Sequence, residues 1–92
     1  MFYFYTIKSI KDNKLYFGYT GDLRNRIKKH NSGCAKSTRE KRPFILVYYE
    51  AYLSKRDAMQ REHQIKRRAK ALISLKRRIK NSLSEGVLAP LV

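Results

Sequence analysis

The hydrophobic pattern starts with period two. In Met1 to Ile10, Tyr3, Tyr5 and Ile7 fall on one face and Phe2, Phe4 and Thr6 on the other, an aromatic and β-branched run of the kind that forms strands. Lys14 to Tyr19 repeats the alternation, with Leu15, Phe17 and Tyr19 set against Lys14, Tyr16 and Gly18. The intervening Lys11-Asp12-Asn13-Lys14 is a turn signal, so residues 2–19 are expected to form a β-hairpin. The period then lengthens. Leu23, Ile27 and His30 recur at i, i+4 and i+7, predicting a helix from about residue 21 to 31, with Thr20 as N-cap, Asp22 at its positive end and Gly33 as a left-handed C-cap.

A polar loop, CAKSTREKRP, leads into Phe44 to Ala51, an almost unbroken apolar run that suggests a central strand covered on both faces. A crossover helix separates this strand from the hairpin, so all three strands can share one sheet. Ser54 is the expected cap of a long helix from Lys55 to about Leu72, whose apolar stripe is Ala58, Ile65, Ala69 and Leu72; Met59 and Ile65 are taken as core. Beyond Ser74 a further helical stretch carries Leu75, Ile79 and Leu83 at i, i+4 and i+8. The fold class is α+β, in the order β-β-α-β-α-α, with one domain over residues 1–81. The closing SEGVLAPLV has no periodicity, and residues 82–92 read as a tail.

Charge narrows the range of partners. The 92 residues carry 22 Lys and Arg against 7 Asp and Glu, a formal +15, which favours a polyanion, and nucleic acid is the commonest soluble one. A basic protein of membrane surfaces is the competing class. No apolar run approaches the roughly 20 residues needed to span a bilayer, and residues 1–10 lack the features of a signal peptide, so a cytoplasmic or nucleoid-associated protein is expected. Cys34 stands alone, which rules out an internal disulfide framework and a cysteine zinc site. Expected phosphate contacts are Lys28 and Lys29 on the first helix, Lys36, Arg39, Lys41 and Arg42 in the loop, and Lys66 on the second helix.

Two features point to chemistry. The segment YFGYTGDLRNRIKKH sends a tyrosine, Tyr16, out of a strand and then Arg26 and His30 out of the next helix toward one region, a combination suited to phosphate chemistry. The second is Glu62, which occupies the inward position between Ala58 and Ile65. Burying a carboxylate costs roughly several kcal/mol unless it is paired or binds a metal. Either an ion pair with an arginine or a role as ligand of Mg²⁺, which takes few protein carboxylates, explains it.

Tyr3-Phe4-Tyr5 and Tyr16-Phe17-Gly18, with ten residues between Tyr5 and Tyr16, resemble the paired signatures of the GIY-YIG nuclease domain. Arg26, His30 and Glu62 follow where that family carries its arginine, a histidine or tyrosine, and its metal-binding glutamate. The resemblance runs from residue 2 to about 80 and is closest to small stand-alone bacterial members; the domain also forms the amino-terminal nuclease of the excision-repair subunit UvrC. It implies a three-stranded antiparallel sheet flanked by helices, and hydrolysis of a DNA phosphodiester with one divalent ion, Mg²⁺ or Mn²⁺, in repair or recombination. Under that resemblance Tyr16 helps to activate the attacking water, with a general-base role among the options. Tyr5 positions the water or Tyr16, Arg26 holds the scissile phosphate, Glu62 holds the metal, and His30 orients a tyrosine or shares in proton transfer. Tyr3 replaces the glycine of the first signature. Many members have an asparagine about twelve residues after the glutamate; here Ser74 occupies that place and Asn81 lies well beyond it. The alternatives are a DNA- or RNA-binding protein that keeps the nuclease fold without turnover, and a ribosome-associated basic protein.

Overall fold

The computed structural model describes residues 1–88. Strands β1 (Phe2–Ser9) and β2 (Leu15–Thr20) form the hairpin, followed by α1 (Leu23–Ser32), a single 3₁₀ turn at Arg39–Lys41, β3 (Phe44–Tyr52), α2 (Lys55–Arg67), α3 (Ala69–Arg78) and α4 (Lys80–Leu88). The three strands make one antiparallel sheet in the order β2-β1-β3.

The central strand is therefore β1, and the apolar β3 lies at an edge. Six successive β1 residues, Phe4 to Ser9, are buried, while Leu46 and Tyr49 of β3 are exposed. The expected cover on both faces is also incomplete: Leu46 and Tyr49 leave one face of β3 partly open, because an apolar run records hydrophobicity and not which elements are at hand to cover or flank it. Side chains alternate across β1 as its period requires. Phe4 joins Ile65, Leu75 and Ile79 beneath α2 and α3, with Phe17, Tyr48, Leu72 and Leu83 against them. Tyr5 and Ile7 join Phe44, Tyr16, Leu23 and Ile27 beneath α1 on the opposite face.

Several local expectations shift by a residue or a turn. The N-cap of α1 is Asp22, which accepts a hydrogen bond from the Asn25 amide at 3.1 Å; Thr20 instead accepts from the Asp22 amide in the preceding turn. Gly33 is the left-handed C-cap, at φ 85°. Ser54 stands at the N-cap of α2 without a capping hydrogen bond from its side chain. The long second helix breaks at Arg68, whose backbone is extended. Carried straight through to Arg78 it would measure about 36 Å, longer than the 33 Å greatest extent of the molecule. The break turns α3 back so that Leu75 and Ile79 reach the sheet, and it leaves Ala69 exposed. Met59 is also exposed, at 41%, and is not part of the core.

Residues 82–88, read from the sequence as the start of a tail, continue helix α4; Leu83 packs on the core and its carbonyl accepts a hydrogen bond from Lys8 Nζ at 3.2 Å. Residues 89–92 of that expected tail lie outside the described residues. Among the described residues no helix is long and apolar enough to cross a membrane.

Candidate active site

Tyr5 is paired with Gly18 on β2, and its ring lies across that glycine. A methyl group on Gly18 would fall 2.5 Å from Tyr5 Cζ and nearer still to the hydroxyl, well inside any real contact distance. The missing side chain thus lets the Tyr5 ring lean over β2 toward helix α1. There its hydroxyl meets His30 Nε2 at 2.9 Å, and the other imidazole nitrogen, Nδ1, meets Thr38 Oγ1 at 2.8 Å. All three residues are buried.

The proton on His30 is assigned from the contacts of Thr38. Its hydroxyl donates to the Ala35 carbonyl at 3.4 Å and so receives the Nδ1 proton of His30. Nε2 then carries no proton and accepts the Tyr5 hydroxyl. Arg26, exposed on α1, donates Nε–H to the Tyr5 oxygen at 3.4 Å. Burial, aided by the Arg26 charge, holds His30 below its ordinary value of 6.5, in keeping with the neutral ring this chain requires. Burial likewise pushes the Tyr5 hydroxyl up, against the hydrogen bond and charge of Arg26, while Glu62 adds to the rise.

Because the folded state resists protonating His30, its contribution to stability is complete above about pH 6.5 and is lost as pH falls toward the lower folded value. Urea midpoints measured between pH 7.5 and 5 are expected to decline in the wild type. In His30→Gln, which removes the titrating group, that slope should flatten; an equal slope would show that His30 is not the group responsible.

Tyr16 reaches the region from β2. Its ring packs edge-on against Phe44, with centroids 5.5 Å apart, and its hydroxyl donates to Asp12 Oδ2 at 3.2 Å. Asp12 sits in the hairpin turn, where its other oxygen accepts the Lys14 amide at 2.9 Å and Lys41 lies 3.6 Å away. The Lys14 hydrogen bond is the main cause of an Asp12 carboxyl below the usual range, and burial followed by Asp12 raises the Tyr16 hydroxyl. Tyr16 is thus a neutral phenol whose proton already points at a carboxylate.

Glu62, on α2, completes the arrangement. Tyr5, Tyr16, Arg26, His30 and Glu62 line a single cleft of about 500 Å³ at the open edge of β2, together with Gly18, Thr38 and Lys66. The ion pair proposed for Glu62 forms with Lys66, at 3.7 Å, rather than with an arginine; Arg61 binds Glu50 instead, at 3.0 Å. A larger groove along α2, bordered by Arg56, Arg61 and Arg68, shares Tyr19 and Glu62 with the cleft. Ser74 is exposed on α3 and lines neither.

Among the described residues no three His, Cys, Asp or Glu side chains gather to cage an ion. A lone, partly exposed carboxylate on an open cleft fits Mg²⁺ or Mn²⁺, ions that keep most of their water and take one or two carboxylates besides phosphate oxygens. It does not fit the closed donor set of a structural zinc site.

A sequence model of the GIY-YIG catalytic domain matches residues 1–78. The chain belongs to the GIY-YIG family. It is 51% identical over 65 residues to a UPF0213 protein of Bacillus pumilus, a match covering 70% of this chain and 65% of that one, so the chain spans just under two thirds of that relative. A UPF0213 protein of Pediococcus pentosaceus is 45% identical over 71 residues, covering 76% of this chain and 74% of its own. The solution structure of the UPF0213 protein BH0048 from Bacillus halodurans is 42% identical, with a TM-score of 0.50 over 92% of this chain and 96% of that one. Within the matched region, Tyr5, Tyr16, Arg26, His30 and Glu62 line one cleft.

The basic side chains divide by what already engages them. Lys28, Lys29, Lys36 and Arg42 are exposed. Arg39 holds the end of α1 through the Gly33 carbonyl at 2.9 Å, Lys41 pairs with Asp12 and Lys66 with Glu62. Sequence reasoning missed Asp12 and Thr38. Asp12 looked like turn chemistry, and Thr38 sat unremarked in a charged loop.

Proposed function

We propose that the chain is an endonuclease that hydrolyses DNA phosphodiester bonds with Mg²⁺ or Mn²⁺, directed by DNA structure in repair or recombination. The observation that carries this reading is the convergence of two tyrosines, an arginine, a histidine and a carboxylate on one cleft in a strongly basic molecule. Arg26 spends only its Nε–H on Tyr5, which leaves both terminal nitrogens for the scissile phosphate. Glu62 would hold the ion, which supplies charge neutralisation at the leaving oxygen. Tyr5, with its own proton committed to His30, accepts from Arg26 and so holds the guanidinium at the cleft.

Tyr16 supports proton removal without a free phenolate. Its hydroxyl proton points at Asp12, so as the attacking water loses a proton to the phenol oxygen, the phenol passes its own to the carboxylate. The water oxygen bonds to phosphorus, the bond to the leaving nucleotide oxygen breaks, that oxygen takes a proton from solvent to become a hydroxyl, and Asp12 returns the proton it received to solvent. Single-turnover cleavage at saturating Mg²⁺ tests this. Tyr16→Phe is expected to slow the step by about 10² to 10⁴. Asp12→Asn, which still accepts the hydroxyl but cannot take its proton, should slow it by about tenfold or more with DNA affinity unchanged. Wild-type rates in Tyr16→Phe would overturn the reading.

A further inference from the structure

The face of the sheet beneath α1 carries a second opening, on the side of the helix away from the cleft. Register places Tyr49 of β3 directly opposite Tyr5 on β1, but the two rings diverge. Tyr5 leans over Gly18 into the cleft, whereas Tyr49 leans toward Tyr3, with ring centroids 5.8 Å apart in an edge-to-face pair. Tyr49 is 51% exposed and Leu46 beside it 37% exposed, large values for an aromatic and an aliphatic residue on a folded surface. Together with Ile27 they floor a groove of about 580 Å³, and Arg24 and Lys28, one helical turn apart on α1, form its rim. Among the described residues neither cation has a carboxylate partner. The acidic residue at the groove, Asp22, is engaged in capping α1.

Exposed aromatic rings beneath free cations form the combination that binds single-stranded nucleic acid: a base stacks on the ring while the phosphates meet the charges. A protein partner would bring its own apolar surface into contact with a rim of two unpaired positive charges in a chain of net charge +15, whereas a nucleotide satisfies both the ring and the rim. We propose that this groove is a subsite for an unpaired nucleotide, its base stacked on Tyr49, whose ring Tyr3 props from the side, and its phosphates on Arg24 and Lys28. The proposal rests on the reading of the chain as a DNA nuclease and deepens it. With the cleft on one side of α1 and the stacking platform on the other, the substrate has an unpaired arm next to the phosphate that is cut, as a flap or a branch does.

Binding measured in EDTA separates this proposal from the fate of the nuclease reading. Fluorescence anisotropy would compare labelled blunt duplex, single strand and flapped duplex with the wild type, Tyr49→Ala and Tyr49→Phe, and 2-aminopurine in the unpaired arm would report stacking. Loss of a base stack should weaken Tyr49→Ala on single-stranded and flapped DNA by about tenfold or more, with blunt duplex unaffected. Tyr49→Phe, which keeps the ring and the fold, should bind as the wild type does and quench 2-aminopurine equally. Equal affinities across all three proteins, or a loss that is uniform over the three DNAs, would overturn the proposal. So would a Tyr49→Ala protein whose only change is from dimer to monomer in sedimentation, since the face would then join copies of the chain.

Discussion

Glu62→Ala is expected to abolish metal-dependent cleavage, by at least about a thousandfold, while leaving DNA affinity intact or slightly raised. A carboxylate that places a divalent ion at a leaving oxygen contributes several kcal/mol to the barrier, and each ~1.4 kcal/mol is a factor of ten. Little else depends on this side chain. Among the described residues its one ion pair is with a half-exposed lysine one turn away, an interaction worth about 0.3–0.5 kcal/mol, so the fold should persist. Removing a negative charge from so basic a surface does not weaken its attraction for phosphates. Mg²⁺-dependent single-turnover rates, beside anisotropy on the same DNA, check both halves of the expectation. A Glu62→Ala protein that cuts at the wild-type rate would remove the carboxylate from the chemistry.

The second large effect is expected at Gly18, which takes no part in the chemistry. Gly18→Ala places a methyl group inside the Tyr5 ring, and no positive φ contributes, so the penalty is steric. Tyr5 cannot swing away freely because it is buried, packed in the core and bonded to His30. Overpacking of this kind costs about 1–3 kcal/mol, and relief through the ring would break the Tyr5–His30–Thr38 chain. Lower stability and lost cleavage should therefore appear together. A double-mutant cycle is the sharper check. With Tyr5→Ala the clash disappears, so Gly18→Ala should cost far less in that background. Additive effects would show that Gly18 and Tyr5 do not share space in the way described.

These two residues also illustrate what could be read from sequence. The hairpin, the face assignments of β1 and the αL cap at Gly33 were legible because each depends on local period or turn chemistry. The five site residues were legible as candidates through their resemblance to a family pattern, and the fold brings them to one cleft. Strand order was not legible: the apolar density of β3 matched a central strand, yet pairing put β1 in the middle. The break at Arg68 has neither proline nor glycine to announce it; what accompanies it is the packing of Leu75 and Ile79 on Phe4, a long-range contact that local pattern does not report. Asp12 and Thr38 escaped because each acts through another side chain, and such partners become visible only when Tyr16 and His30 have been placed. Glu62 lay between these cases. Its inward position raised the choice between ion pair and metal ligand, and the structure gives it a weak pair on a cleft wall.

The most direct measurement incubates the wild-type chain with end-labelled blunt, nicked, flapped and branched DNA, with Mg²⁺, with Mn²⁺ and with EDTA. Scission of at least one structured substrate, dependent on the metal and absent in EDTA, is the predicted result. Tight binding of every substrate with no scission under any metal would contradict the proposed nuclease and leave a nucleic-acid-binding protein on the same fold.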